Sequence, residues 1–269
     1  MRCCWGSTAS ASIAILSGDV TDAIIWAAAL GLLGAIAGSF LATIAVRWPM
    51  ERSVARGRSA CDGCGRVLTA RDLVPILSWA AARGRCGACG APIDPRHPLI
   101  EAGCALAGIA AGYAAPGVAG AAGALFGWLL LTLAVMDAHD FWLPDELTAA
   151  LAIGGVASAW WVAPDWPDRL IGGVGGFALL WLVAAGYRRW RGRDGMGGGD
   201  PKLFGAIGLW LGWRLLPAVL VIAGLVGLGW IAFQHWRGRT MAADDALPLG
   251  TLMAVAAYPA WIVMIGSAG

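Results

Sequence analysis

Two aspartates, Asp137 and Asp200, are the strongest candidates for chemistry in this sequence. Asp137 directly follows an uninterrupted apolar run, and Asp200 follows a glycine-rich turn that contains Gly197 and Gly199. An ionisable side chain at the edge of a hydrocarbon layer is costly, so it is a functional candidate by default. Two carboxylates that meet in a low-dielectric site share a proton, so one acts as base and the other as acid. That arrangement suits the hydrolysis of a peptide bond.

Simpler roles are open to the residues around these aspartates. Asp200 alone could cap a helix after a flexible linker, and Asp145 follows Pro144 where a helix start favours negative charge. For Asp145 we favour that structural role. Lys202 lacks the glycine spacing and the following Ser or Thr of a phosphate-binding loop. We therefore expect Pro144, Asp145, Lys202 and the two glycines only to support the two aspartates.

Four cysteines form two pairs with two residues between the partners, Cys61 with Cys64 and Cys86 with Cys89. A glycine follows each pair and allows the tight turn of a metal knuckle, so four thiolates can meet one tetrahedral ion. The pattern predicts a structural Zn²⁺ site. Two disulfides or four free thiols are the alternatives, and a reducing compartment disfavours the disulfides. The remaining cysteines are predicted to be ordinary apolar residues: Cys3, Cys4 and Cys104.

The composition places these candidates in a membrane protein. Hydrophobic residues make up 59% of the 269 residues and charged residues 13%, whereas soluble domains carry about 25% charged residues. Apolar windows near the ~20 residues that cross a bilayer predict an all-α polytopic fold with about eight transmembrane helices. A fold with seven spans is the alternative, because the sixth and seventh windows are hard to separate. The windows are 22–46, 97–115, 117–136, 146–163, 169–187, 201–212, 215–236 and 248–267.

One sizeable polar insert, residues 47–96, separates the first two windows and is rich in arginine. The positive-inside rule places this insert in the cytoplasm. If the spans alternate, sixteen of the 19 Lys and Arg residues face the same side, and Asp137 and Asp200 both return to it. The apolar stretch 12–17 is too short for a cleavable signal peptide. A formal charge of +2 gives no reason to expect a nucleic-acid partner.

This reasoning predicts four parts of the chain. They are an extracytoplasmic N-terminal segment (1–21), a first transmembrane helix (22–46), a cytoplasmic tetracysteine zinc domain (47–96) and a transmembrane aspartic peptidase domain (97–269).

Two rival functions use the same residues differently. A transporter could relay protons along intramembrane carboxylates, but it would place paired acids near the middle of its spans. A noncatalytic assembly scaffold would tolerate loss of both aspartates. No arrangement of Ser, Cys and His competes as a catalytic centre, because His97, His139 and His235 each fall in a polar segment and are expected to be solvated.

Several motifs together resemble the bifunctional prepilin peptidases, also called type IV leader peptidases. Asp137 stands eight residues before Asp145, where that family has its first catalytic aspartate, and Asp200 in the sequence Gly-Gly-Gly-Asp falls on the second. Ala42, His139 and Pro201 depart from the family's common residues but leave both carboxylates in place. The other matching segments are 38–41, 47–49, 73–79, 83–85, 96–101 and 247–250.

The resemblance implies an enzyme of the bacterial inner membrane. Such an enzyme cleaves the leader peptide of type IV prepilins or pseudopilins at the cytoplasmic face, with Asp137 and Asp200 as the catalytic pair. The family's second activity would methylate the new N terminus with S-adenosylmethionine. The implied partners are therefore the prepilin substrates and the lipid bilayer.

Overall fold

The computed structural model describes residues 8–54, 59–238 and 247–268. Across these ranges, regular structure is almost entirely helical, with isolated β-bridges in the insert. The predictions for Cys3 and Cys4, and the arginines at 56, 58 and 239, lie outside the described residues. The helices are α1 (Thr8–Arg47), α2 (Leu77–Ala81), α3 (Arg96–Ala114), α4 (Val118–Asp140), α5 (Asp145–Ser158), α6 (Trp166–Arg191), α7 (Gly199–Leu211), α8 (Leu216–Trp236) and α9 (Leu249–Ala268).

The prediction of an all-α polytopic membrane protein is confirmed. Each of the eight predicted windows overlaps a different one of the helices α1 and α3 to α9. By length and apolarity, five helices in the described ranges can cross a membrane: Val20–Met50, Val118–Asp140, Trp166–Arg191, Leu216–Trp236 and Leu249–Ser267. Helices α5 and α7 have 14 and 13 residues, fewer than the ~20 of a full span. The count of eight spans therefore stays a prediction.

Helix α4 continues beyond the apolar window that the sequence suggested. The predicted span ended at 136, with Asp137 opening a loop, but the helix runs on to Asp140. It ends because Phe141 adopts a left-handed conformation (φ 48°), and the Phe141 N–H donates to the Asp137 carbonyl. Asp137 thus belongs to the last turn of a helix, which fixes its direction more firmly than a loop would.

Glycines join α1 and α3 along a close seam. A Cβ at Gly34 would overlap the Cys104 carbonyl, and a Cβ at Gly108 would overlap the Leu30 carbonyl. Small residues of this kind let two membrane helices pack backbone to backbone. Cys104 is fully buried in the seam, in agreement with an apolar role. Because α1 leads into the insert and α3 leads out of it, the seam holds both ends of the insert together.

A buried arginine ties α5, α6 and α7 together at the ends remote from the insert. Arg169, in the first turn of α6, is only 1% exposed. Its Nη1 donates to the carbonyls of Gly155 and Leu209, each at 2.7 Å, and to the hydroxyl of Ser158 at 3.0 Å. Its remaining N–H groups donate to the carbonyls of residues 162–164. The guanidinium charge is therefore satisfied by helix-end carbonyls rather than by an acid.

We expect Arg169→Met to lower the free energy of unfolding by about 3–5 kcal/mol, since it leaves several buried carbonyls without a donor. Reversible unfolding of the purified protein in mixed micelles measures this. The control is Arg214→Met, because the Arg214 side chain is 73% exposed and pairs with Asp168 at the surface, where a pair contributes about 1 kcal/mol or less. If Arg169→Met and Arg214→Met lowered the free energy of unfolding equally, the buried contacts of Arg169 would have no special importance for stability.

Candidate active site and metal centre

The two predicted aspartates meet in the structure. Asp137 in the last turn of α4 is 5% exposed, and Asp200, the second residue of α7, is 6% exposed. Their carboxylates are near enough to interact electrostatically. Asp200 does not cap its helix, because α7 begins one residue earlier and Gly198 occupies the N-cap without a side-chain bond. The arrangement therefore differs from the capping alternative and brings two buried acids near each other.

The start of α9 lies against the carboxylate of Asp137. The backbone N–H of Thr251 donates to Oδ2 of Asp137 at 2.7 Å. The Thr251 hydroxyl lies 3.1 Å from the same oxygen and 2.8 Å from the Ala134 carbonyl. The backbone N–H of Gly250 is close enough to both Asp137 and Asp200 to favour a negative charge on either. The first N–H groups of a helix lack partners within it and carry partial positive charge, so this end of α9 favours a negative charge on Asp137.

Glycines give the carboxylates room. A Cβ at Gly250 would lie 3.0 Å from Oδ2 of Asp137, and a Cβ at Gly197 would lie 3.1 Å from Oδ2 of Asp200. At Gly199 a Cβ would come within 2.7 Å of the Leu143 side chain. The turn before Asp200 thus needs small residues because it packs against the α4–α5 connection and against its own acid.

The remaining predicted supporting residues lie beside the pair without touching it. Pro144 precedes the first residue of α5 and its carbonyl accepts both the N–H and the hydroxyl of Thr148. Lys202 Nζ contacts the Asp145 carboxylate oxygens at 2.7 and 2.8 Å. This exposed ion pair links the starts of α5 and α7, and we expect it to contribute about 1 kcal/mol or less.

The four predicted metal ligands also come together. The Sγ atoms of Cys61, Cys64, Cys86 and Cys89 all lie within 4.8 Å of one another. Cys61 and Cys89 have their sulfurs 3.8 Å apart, well beyond the ~2.05 Å of a disulfide. Each knuckle closes through a glycine with positive φ, where the N–H of Gly65 or Gly90 returns to the carbonyl of the first cysteine. A tetrahedral thiolate site for a metal ion fits this cluster.

Two protein-family models match the chain, one over the insert and its flanking helices and the other over the helices that carry the two aspartates. The model of the bacterial peptidase A24 N-terminal domain matches residues 32–115, and that of the type IV leader peptidase family matches residues 124–232. A prepilin leader peptidase/N-methyltransferase of Burkholderia pseudomallei (strain 1026b) is 37% identical over 252 residues, which cover 83% of this chain and 81% of that protein. The chain belongs to the type IV leader peptidase family. Enzymes with the same name in Dickeya chrysanthemi and Pectobacterium carotovorum subsp. carotovorum are 37% and 33% identical over 86% and 91% of this chain and 90% and 92% of theirs. No solved structure matches the chain.

The contacts of α9 with Asp137 were not predicted from the sequence. In the sequence, the segment 247–250 stands out only as one that matches the family, and nothing marks Thr251 as a site residue. Thr251 is 114 positions from Asp137, so no local spacing connects them. The available signal was the Pro-Leu-Gly sequence at a helix start, which predicts free N–H groups near a candidate acid.

We expect Thr251→Val to slow substrate cleavage by about tenfold to a hundredfold, because it removes the hydroxyl beside Oδ2 of Asp137 and loosens the placement of the acid. Thr251→Ser keeps the hydroxyl and should retain activity within about threefold. The measurement is kcat with a purified prepilin across a range of pH. If the Thr251→Val and Thr251→Ser variants had the same kcat, the hydroxyl would have no role in positioning Asp137.

Proposed function

We propose that this chain is an aspartic endopeptidase that removes the leader peptide from prepilins or pseudopilins, with Asp137 and Asp200 as its catalytic pair. The observation that carries the proposal is the meeting of two buried acids from α4 and α7 at the amino end of α9. Two acids in such a site cannot both ionise easily, and the family membership of the chain supports the same chemistry.

The surroundings of the two acids support different roles. Asp137 receives the N–H and hydroxyl of Thr251, so it is the better candidate for the ionised base. Asp137 then takes a proton from the water that attacks the scissile carbonyl. Asp200 starts protonated and donates its proton to the carbonyl oxygen, which gives a tetrahedral intermediate. As the intermediate collapses, Asp137 passes the proton taken from water to the leaving amine, and Asp200 takes back a hydroxyl proton, so the pair returns to its starting state.

The rival functions fit the same geometry less well. A proton relay requires acids along the middle of the spans, whereas Asp137 and Asp200 lie in the last turn of one helix and the first turn of another. A noncatalytic scaffold gives no reason to bury two neighbouring carboxylates, because burial of unpaired acids costs free energy.

The insert supports a metal-binding role. We propose that Cys61, Cys64, Cys86 and Cys89 hold a structural Zn²⁺ and that residues 47–96 form a cytoplasmic zinc domain, with residues 97–269 as the peptidase domain. The four sulfurs provide the donor set that zinc prefers in closed structural sites. Because the relatives are named N-methyltransferases, we also propose that the new N terminus is methylated from S-adenosylmethionine.

One experiment tests the proposed function directly. The chain is co-expressed with a candidate prepilin, and the mass of the pilin reports loss of the leader and gain of a methyl group. We expect leader removal. An unprocessed pilin in the presence of correctly inserted, zinc-loaded protein, with several candidate prepilins, would reject the peptidase proposal.

The proposal requires both acids at the cytoplasmic face of the bacterial inner membrane. In a background with Cys3→Ser and Cys4→Ser, an impermeant maleimide added to intact cells should label a cysteine at position 165, between α5 and α6. A cysteine at position 191, at the end of α6, should react only after lysis. Arginine-rich segments stay in the cytoplasm, which is the reason for this orientation. Labelling of position 191 in intact cells would overturn the cytoplasmic assignment.

A further inference from the structure

Arg96 connects the insert to the helix that carries Asp137. It is the first residue of α3, at the end of the insert, and its side chain is only 12% exposed. Its Nη2 and Nε donate to the carboxylate of Asp94 at 2.8 and 3.1 Å, and its Nη1 donates to the carboxylate of Asp140 at 3.3 Å. Arg96 therefore joins an acid of the insert to an acid at the end of α4.

The insert holds Arg96 by its backbone as well as by its side chain. The backbone N–H of Arg96 donates to Oδ1 of Asp94 at 2.8 Å, so one acid grips both parts of the residue. Asp94 comes shortly after the second cysteine knuckle, which closes where the N–H of Cys86 donates to the Ala91 carbonyl at 2.8 Å. A short run of chain therefore leads from the metal cluster to Arg96.

The insert also covers the first turns of α3. The backbone N–H of Ile76 donates to the buried carboxylate of Glu101 at 2.7 Å. The sequence predicted a solvated His97, but His97 lies in the first turn of α3 and is half-buried. That prediction was wrong because the insert folds back over this turn. Arg96 thus lies in a packed junction between the insert and the helices.

The end of α4 is an unfavourable place for an acid unless a cation offsets its charge. The carboxyl end of a helix carries partial negative charge, so cations stabilise it and acids do not. Asp140 is the last residue of α4 and follows Asp137 by three positions, a spacing at which helix side chains are neighbours and like charges repel. Arg96 supplies the cation at this helix end and offsets the charge of Asp140.

Two sets of contacts therefore fix the last turn of α4. Thr251 holds this turn through Asp137, to which its backbone N–H donates at 2.7 Å. Arg96 holds it through Asp140. The exposed pair of Lys202 with Asp145 contributes little, whereas Arg96 is largely buried and makes a forked contact with Asp94, which adds geometric specificity.

We propose that Arg96 is a positioning residue for peptide cleavage, which fixes the last turn of α4 through Asp140 and neutralises the charge of Asp140 beside the catalytic pair. Arg96 also makes the placement of that turn depend on the fold of the insert. The inference rests on the proposed peptidase function, which the Asp137→Asn variant tests separately. A variant at position 96 that cleaved normally would remove only this inference.

The test is a charge rescue, measured as kcat for a purified prepilin across a range of pH. Arg96→Gln leaves Asp140 without its cation. The acid limb of the pH profile should then move to higher pH by about one unit, which lowers kcat about tenfold on that limb and is the size expected for one charge a helical turn away. Asp140→Asn removes the charge and should stay within about threefold of the wild type. The variant with both substitutions should recover most of the lost activity.

Rescue separates this role from a purely structural one. If Arg96 only stabilised the insert through Asp94, Asp140→Asn could not restore cleavage, and the double variant would be as slow as Arg96→Gln. That result, or an unchanged pH profile in Arg96→Gln, would overturn the proposal. Asp200 also interacts electrostatically with Asp137, but it is the same in every variant, as is the uncharged Thr251.

Arg66→Gln is the matched control, because Arg66 pairs with Asp72 at 2.9 Å inside the insert and with its side chain exposed. It should keep the wild-type kcat and pH profile. Zinc content and resistance to proteolysis report whether each variant is folded.

A conservative variant keeps the test decisive if Arg96→Gln does not fold. Arg96→Lys retains a positive charge beside Asp140 but cannot make the forked contact with Asp94. Its acid limb should therefore stay at the wild-type pH. An acid limb displaced to higher pH in folded Arg96→Lys would contradict the proposed role of the charge.

Discussion

Asp137→Asn and Asp200→Asn should each reduce leader cleavage by at least about a thousandfold, because asparagine keeps the shape of the side chain but cannot exchange a proton. Both residues are buried next to each other at the start of α9, so each substitution breaks the same acid–base pair. The double variant should be no slower than the single ones, since residues that act as a unit have non-additive effects. Single-turnover cleavage of a purified prepilin is the measurement.

Asp145→Asn is the matched control for these variants. Asp145 begins α5, near Asp137, but its carboxylate contacts only the exposed Lys202 among the ion pairs of the described chain. We expect the variant to cleave at close to the wild-type rate, because a surface ion pair contributes little. Full activity of either Asn variant at position 137 or 200 would remove the basis for the catalytic pair. Unchanged zinc content and unfolding behaviour would show that any loss of activity is chemical.

Replacing Cys61 or Cys86 by serine should abolish zinc binding, whereas the wild type should carry one ion per chain. A structural zinc site contributes about 10–16 kcal/mol of apparent binding free energy, and small metal domains use it to fold. The insert offers little apolar core of its own, since cluster residues Cys61, Cys64 and Cys89 and much of its surface are solvent-accessible. We therefore expect rapid proteolysis within residues 59–95 of the variants, while the helices remain protected.

The control for the zinc experiment is Cys104→Ala, because Cys104 lies in the α1–α3 seam and not in the cluster. It should retain the metal. Mass spectrometry measures the zinc content per chain, and alkylation measures how many thiols are free. Purified wild-type protein with no zinc and four freely alkylated insert thiols would contradict the assignment.

The sequence was sufficient for the features that depend on local pattern. Long apolar windows located the helices, two closely spaced cysteine pairs located the metal cluster, and the acids after an apolar run and a glycine turn located the buried pair. These signals are local because hydrocarbon thickness, knuckle geometry and the cost of a buried charge each act on neighbouring residues.

What the sequence did not show depends on contacts between distant segments. Thr251 reaches Asp137 only because α9 packs against α4, and Arg169 finds its carbonyl partners in three separate segments. His97 turned inward because the insert folds back over α3, which no periodicity in its own helix requires. The helical extension to Asp140 was missed because polar residues at a helix end look like the start of a loop.

The two short helices have a consequence for how a substrate meets the enzyme. At about 1.5 Å per residue, the 14 residues of α5 and the 13 residues of α7 span roughly 20 Å, against about 30 Å of hydrocarbon. Both begin beside the acids, and Arg169 fastens their far ends together. Helix α7 is largely enclosed by the protein, but α5 has an exposed face, and we expect the bilayer beside that face to thin. An apolar pilin helix that binds there would be too long for the local bilayer, and this hydrophobic mismatch would favour exposure of its first turn, next to the scissile bond, to water.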